Sequence, residues 1–320
     1  MYKLQCLQNC TKRFFHVAAM LYYIRNVIKL KPNYARLNSC NNGLQSASGN
    51  GIKWVAGGWV LFLGENIILS ENREWICEGY GEKLYHGIYN TLSSAACISI
   101  VYGFVKHKGL GPRWANFDKG SAPPHLRVAS ILLQSFGVIC FSQLLPKLQI
   151  PVSLHKNEVA THKTDNLATE EIAVSSVEKS STVVPPTGKF TFKARCPMDF
   201  RSKPDLPPDA VYGVERITRH HNLWALASLG VGTALVTPFM VESLFFAGPL
   251  LLATFGTAHQ DSRFRRNMGG TLSPEKEEST SNIPFAALLT GRQEWKKLLE
   301  EIKWLNGGIA TLIILALHVI

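Results

Sequence analysis

With 320 residues, 46% of them hydrophobic, the chain could fill one or two cores, but its apolar residues are gathered into long runs instead of amphipathic periods, which excludes an ordinary soluble domain. The formal net charge is +11. No basic patch is interleaved with aromatics on a soluble fold, so nucleic acid is excluded as a partner, and seven cysteines without a CxxC or paired spacing exclude a zinc site and a disulfide framework.

The first 64 residues carry eight Lys or Arg and no Asp or Glu. Together with the amphipathic stretch RFFHVAAMLYYIRNVIKL, this predicts that residues 1–50 are an organelle transit peptide, mitochondrial or plastid; the alternative is a basic tail obeying the positive-inside rule. Residues 37–52, beginning LNSCNNGLQ, read as a flexible connector. The runs 54–70, 89–105 and 126–145 each approach the roughly 20 apolar residues that a membrane-crossing helix needs, and make 51–150 a first membrane half of three helices. Cys97 and Cys140 lie inside them and pack as small hydrophobes.

Residues 151–208 mix Ser, Thr, Glu, Lys and Pro without an apolar period, which predicts a long disordered loop. A second membrane half follows over 209–300. Its apolar run 223–256 is about twice the length of one span and predicts two helices hinged near Pro238. A C-terminal transmembrane helix over 301–320 completes an all-α integral membrane bundle of about five to six helices, with lipid and a hydrophobic small molecule as the partners that such a bundle suits.

Several polar residues interrupt this apolar pattern. Glu65 and Asn66 stand inside the first run, where a carboxylate must face the bundle or a polar cavity. Of the ten histidines, His86, His125, His220, His221 and His259 fall near span ends, where an imidazole can hold haem iron or move protons; His318 reads as a terminus that meets water, and His155 and His162 belong to the loop. Arg216 and Arg219 are spaced i, i+3, with His220 next, at the entry to the hairpin, and His259, Asp261 and Arg263 close it. A hairpin hinged near Pro238 returns its second helix to the level of the first, so both clusters should meet at one membrane face, with Asp261 pairing Arg219 or Arg216 and with Glu65 or Asn66 deeper inside.

The order of GVERITRH, an apolar hairpin, FGTAHQDSRFRR and SNIPFAALLTGRQ resembles the NnrU-domain membrane protein family, which includes the plant zeta-carotene isomerase; WVLFLGEN and GEKLYHGIYNTLSSAACISIVYGF are similar to its first two spans. The resemblance covers roughly 54–145 and 209–295. It implies an organelle membrane bundle and, for the isomerase members, a haem b that promotes cis to trans isomerisation of a carotenoid double bond. It carries over His220, with His86 as a further metal-ligand candidate. Where the family has other histidines this chain reads Asn66, Thr233, Leu252 and Ala253, and His221 replaces a proline. A wider similarity to isoprenylcysteine and phospholipid methyltransferases gives an alternative function, and a non-catalytic membrane assembly protein is a further one.

Overall fold

The computed structural model describes residues 41–118, 120–148, 152–156, 190–194, 198–199 and 210–319. The first forty residues, where most of the expected leader falls, and the centre of the expected loop, 157–189, lie outside the described residues.

The chain begins with α1 (Asn41–Glu71), followed by the short α2 (Arg73–Tyr80) and by α3 (Glu82–His107). The expected connector is thus helical from Asn41 onward. Its Gly and Asn disfavour helix, but packing overrides a weak propensity: Gly51 lies so close to His107 that an added Cβ would fall 2.6 Å from the His107 Cβ. Further along, Gly58 sits against Ile100 and Gly103 against Val55, so α1 and α3 approach closely over small residues.

After a loop, α4 (Pro124–Ser142) starts with proline at its first position, where the missing N–H costs nothing. Three short strands fall within the expected loop, and a fourth just precedes it. β1 (Lys147–Leu148) pairs antiparallel with β4 (Met198–Asp199), and β2 (Val152–Lys156) with β3 (Phe190–Ala194). A 3-10 turn at Gly213–Arg216 leads into α5 (His221–Leu235), and the chain reverses before α6 (Met240–Arg265). The hinge near Pro238 is therefore present, but its arms are unequal, because α5 has 15 residues and α6 has 26. Proline 249 interrupts the hydrogen-bond ladder of α6, and a π turn at Leu252–Gly256 follows directly. Three short helices, α7 (Pro274–Ser279), α8 (Ala286–Leu289) and α9 (Trp295–Glu301), precede α10 (Trp304–Val319).

Among the described residues four helices are long and apolar enough to cross a membrane: Gly49–Glu71 of α1, α3, α4 and α6. With the shorter apolar α5 and α10 they form a mostly helical, multi-pass bundle. Val55, Phe104 and Val241 join α1, α3 and α6 in one core cluster. Val138, Leu229 and Ile314 join α4, α5 and α10 in a second. A third, around Cys140, Ile217, Leu288 and Leu298, seats the short helices on α4 and α5.

Candidate functional site

The end of α1, the start of α3, the start of α5 and the end of α6 converge at one side of the bundle. Phe62, Asn66 and Ser70 follow one another at i, i+4 and i+8 and so share one face of α1. That face forms one wall of a cleft of about 680 Å³, within the range of small-molecule and cofactor pockets. Tyr85, His86 and Tyr89 of α3 form the second wall, and Leu252, Gly256, His259 and Arg263 of α6 the third. The π turn at Leu252–Gly256 is local to this third wall, and such turns re-aim side chains by shifting helical phase.

The cleft is mostly apolar with a few converging polar groups. The Tyr89 hydroxyl donates to Asn66 Oδ1 at 2.8 Å, while Asn66 Nδ2 donates to the Phe62 carbonyl at 2.7 Å. Glu65 lies behind Asn66, 5% exposed, with Oε1 accepting from the Ser93 hydroxyl and Oε2 without a partner. His259 Nε2 is 2.8 Å from Ser70 Oγ and 4.0 Å from Glu71 Oε2. At the rim Glu71 holds Arg266 through two hydrogen bonds. His86 is half exposed and its Nε2 lies 3.4 Å from Glu82 Oε1. Arg73 also lines the cleft, and the buried Nε of Arg263 has no partner.

Next to this cleft is an ion cluster. Asp261 accepts from Arg219 Nε at 3.1 Å, and its other oxygen is 2.6 Å from His220 Nε2. All three side chains are at most 11% exposed. The segment after α7 closes over them: the Arg219 amide donates to the Ser281 carbonyl, and Asn282 Oδ1 accepts from both Trp224 and Thr257.

The two expected clusters do meet at one side, through Asp261, with Arg219 as its cation. Arg216 is not part of that meeting. It turns to Glu301, through two hydrogen bonds of 2.8 and 2.6 Å, and to Gln293. Burial pushes the Glu301 carboxyl up, but the Arg216 hydrogen bonds, the Gly213 amide and the Arg216 charge outweigh it and hold the group below its ordinary value. His220, expected as a metal ligand, is not among the cleft-lining residues, and its Nε2 is occupied by Asp261. His86 of α3 and His259 of α6 line the cleft instead. Of the four positions that the resemblance sets against family histidines, Asn66 and Leu252 line the cleft, Ala253 is fully buried, and Thr233 lies 3.4 Å from Gln134 in another part of the bundle.

Sequence reasoning missed Arg73, Ser70, Tyr89 and Glu301. Ser70 lies at i+4 from Asn66 on α1, and Tyr89 at i+3 from His86 on α3, signals that helical spacing carries once Asn66 and His86 are taken as cleft-facing. Glu301 is 85 residues from Arg216 and gave no signal. Among the described residues no group of three or more His, Cys, Asp or Glu could hold a bare metal ion.

The family model described as NnrU protein matches residues 55–320 of the chain. No curated protein and no solved structure matches it.

Proposed function

The chain belongs to the NnrU protein family, and on that premise we propose that it is an organelle membrane protein whose cleft holds haem b. The observation that carries this reading is the buried Arg263 Nε, which has no partner among the described residues and belongs to a cleft that two imidazoles also line. A buried guanidinium nitrogen left unpaired is costly, and an acidic group on a bound ligand removes that cost. His86 and His259 are the residues to hold the iron. Each has neighbours that a ligand can displace, Glu82 at 3.4 Å from His86, and Ser70 at 2.8 Å and Glu71 at 4.0 Å from His259. Arg73 and Arg263 are the partners for the two acidic side chains, and Phe62, Tyr85 and Leu252 supply apolar wall.

Bound haem would supply an iron centre for isomerase-like chemistry on a double bond of an apolar small molecule. The chain's own residues bind and orient. Tyr89, fixed by Asn66, offers a hydroxyl at the cleft floor, and Glu71 and Ser70 steady His259 from the rim.

The test is a visible absorption spectrum of the detergent-purified protein, as isolated and after addition of hemin. A Soret band that His259→Ala and His86→Ala shift or abolish, and that His220→Ala leaves in place, is the expected result. Absence of the band after reconstitution, or its loss in the His220 variant alone, overturns the assignment.

A further inference from the structure

The side of the bundle opposite the cleft carries a second feature. Along the outer face of α3, Cys97, Ile98, Val101, Tyr102, Val105 and Lys106 line an open groove of about 700 Å³. Ile98, Val101 and Val105 are 68, 52 and 59% exposed, so no other described element covers them. The nine helical steps from Cys97 to Lys106 make the groove roughly 14 Å long.

Its upper end is polar in a specific way. Lys106 Nζ donates to the Tyr102 hydroxyl at 2.6 Å and sits 5.1 Å from the centre of the Tyr102 ring. Trp54, 47% exposed, packs edge-on against Tyr102 at 5.2 Å, which places two amphipathic rings side by side as they occur at the headgroup level of a membrane. Lys53 adjoins Trp54, Lys108 follows Lys106, and none of these three lysines has a carboxylate partner among the described residues. At the cleft end of the bundle four cations do pair with carboxylates: Arg216 with Glu301, Arg219 with Asp261, Arg265 with Glu277 and Arg266 with Glu71. Lys106 lines the apolar groove at the end of α3, and Lys108 follows it two residues on, so positive charge without a carboxylate partner among the described residues stands at that end.

We infer that this groove is a site for an anionic glycerophospholipid, with one acyl chain along Ile98, Val101 and Val105 and the headgroup phosphate at Tyr102, Lys106 and Lys108. The charge decides the occupant. An acyl chain alone explains the groove, but the lysine pair above the tyrosine fits a negative headgroup, each cation near a membrane surface strengthening such binding several-fold.

The experiment uses the full chain, purified in detergent and titrated with phosphatidylglycerol or phosphatidylcholine, binding being read by native mass spectrometry. Phosphatidylglycerol should be retained in preference to phosphatidylcholine. Lys106→Gln with Lys108→Gln should cost roughly 30-fold of that preference. Val101→Trp, which fills the groove from an exposed position, should remove binding of both lipids while leaving thermal unfolding in detergent unchanged. Equal retention of the two lipids overturns the proposal. So does a matching effect of glycerol phosphate alone, which would mean a free-anion site, or a dimer in phosphatidylcholine nanodiscs that Val101→Trp dissociates, which would mean that a second copy covers the groove.

Discussion

Asp261 holds Arg219 and His220 at once, and it is 4% exposed. Removing one partner of a buried pair leaves the other charge without compensation, so Asp261→Ala should destabilise the protein by about 3–5 kcal/mol, with Asp261→Asn intermediate. Thermal unfolding in detergent measures this, and an unchanged midpoint would refute the role given to the carboxylate. The Arg216–Glu301 pair adds a pH dependence. Glu301 is held below its ordinary value near 4.5, so its contribution is fully present above that value and is lost as pH falls through it towards the lowered one. Acid should therefore weaken the docking of α9 on the 3-10 turn, and Glu301→Gln should flatten the acid limb of a stability profile; an identical acid limb in the variant counts against the pair. The Asp261 partnership was legible in the sequence because a short hairpin forces its two ends together. The Glu301 partnership was not, since nothing local links two residues separated by the whole α5–α6 hairpin and by α7 and α8.

Helix lengths depend on which neighbours a side chain meets, and hydropathy misjudges them for that reason. The run 223–256 reads as two equal spans, yet α6 continues nine residues beyond Gly256 through TAHQDSRFR, because His259, Asp261 and Arg263 face the cleft and the ion cluster instead of water. The shortness of α5 has the complementary cause: beyond it the Thr237 and Pro238 carbonyls accept hydrogen bonds from Trp114 in the loop after α3. Close approach within the hairpin is set at Gly230, where an added Cβ would lie 2.0 Å from the Phe246 carbonyl oxygen. Backbone on the far side cannot move aside as a flexible side chain would. Gly230→Ala is expected to cost about 1–3 kcal/mol through forced separation of α5 and α6. Gly64→Ala, with nothing within 4 Å of the new carbon, is the control and should be neutral or slightly stabilising. Parallel unfolding curves decide the matter, and equal behaviour of the two variants would show that the hairpin is not packed through Gly230.

At the scale of the whole molecule the chain forms two halves joined through a long connection, and the question is what keeps them together. Composition showed that both halves are apolar and helical, but not which helices touch, because every lipid-facing run offers the same hydrophobic surface. The structure supplies specific links. Gly137 of α4 lies against the Ala225 carbonyl of α5, and Gly232 of α5 against the Ser130 carbonyl of α4, so these helices interlock. The loop after α3 grips the hinge, with Trp114 Nε1 donating to the Thr237 carbonyl at 2.6 Å, the Trp114 amide to the Pro238 carbonyl at 3.0 Å, and the Arg113 guanidinium 5.0 Å from the centre of the Phe239 ring. Across the opposite side Lys303 Nζ donates to the carbonyls of Gln143 and Leu145, and Asn306 to those of Ser142 and Pro146. Such bonds join residues from both halves at both membrane levels, so the covalent connection should be unnecessary once the bundle has formed. A protease site placed within residues 157–189 and cut after purification should leave the two fragments co-eluting from a sizing column in detergent. Trp114→Ala removes the side-chain donor to the hinge, leaving the Thr237 carbonyl short of that bond at a cost of about 1–3 kcal/mol, and should lower the temperature at which the cut halves part. Fragments that separate immediately after cleavage would mean that the connection, and not the interlocked helices, holds the molecule together.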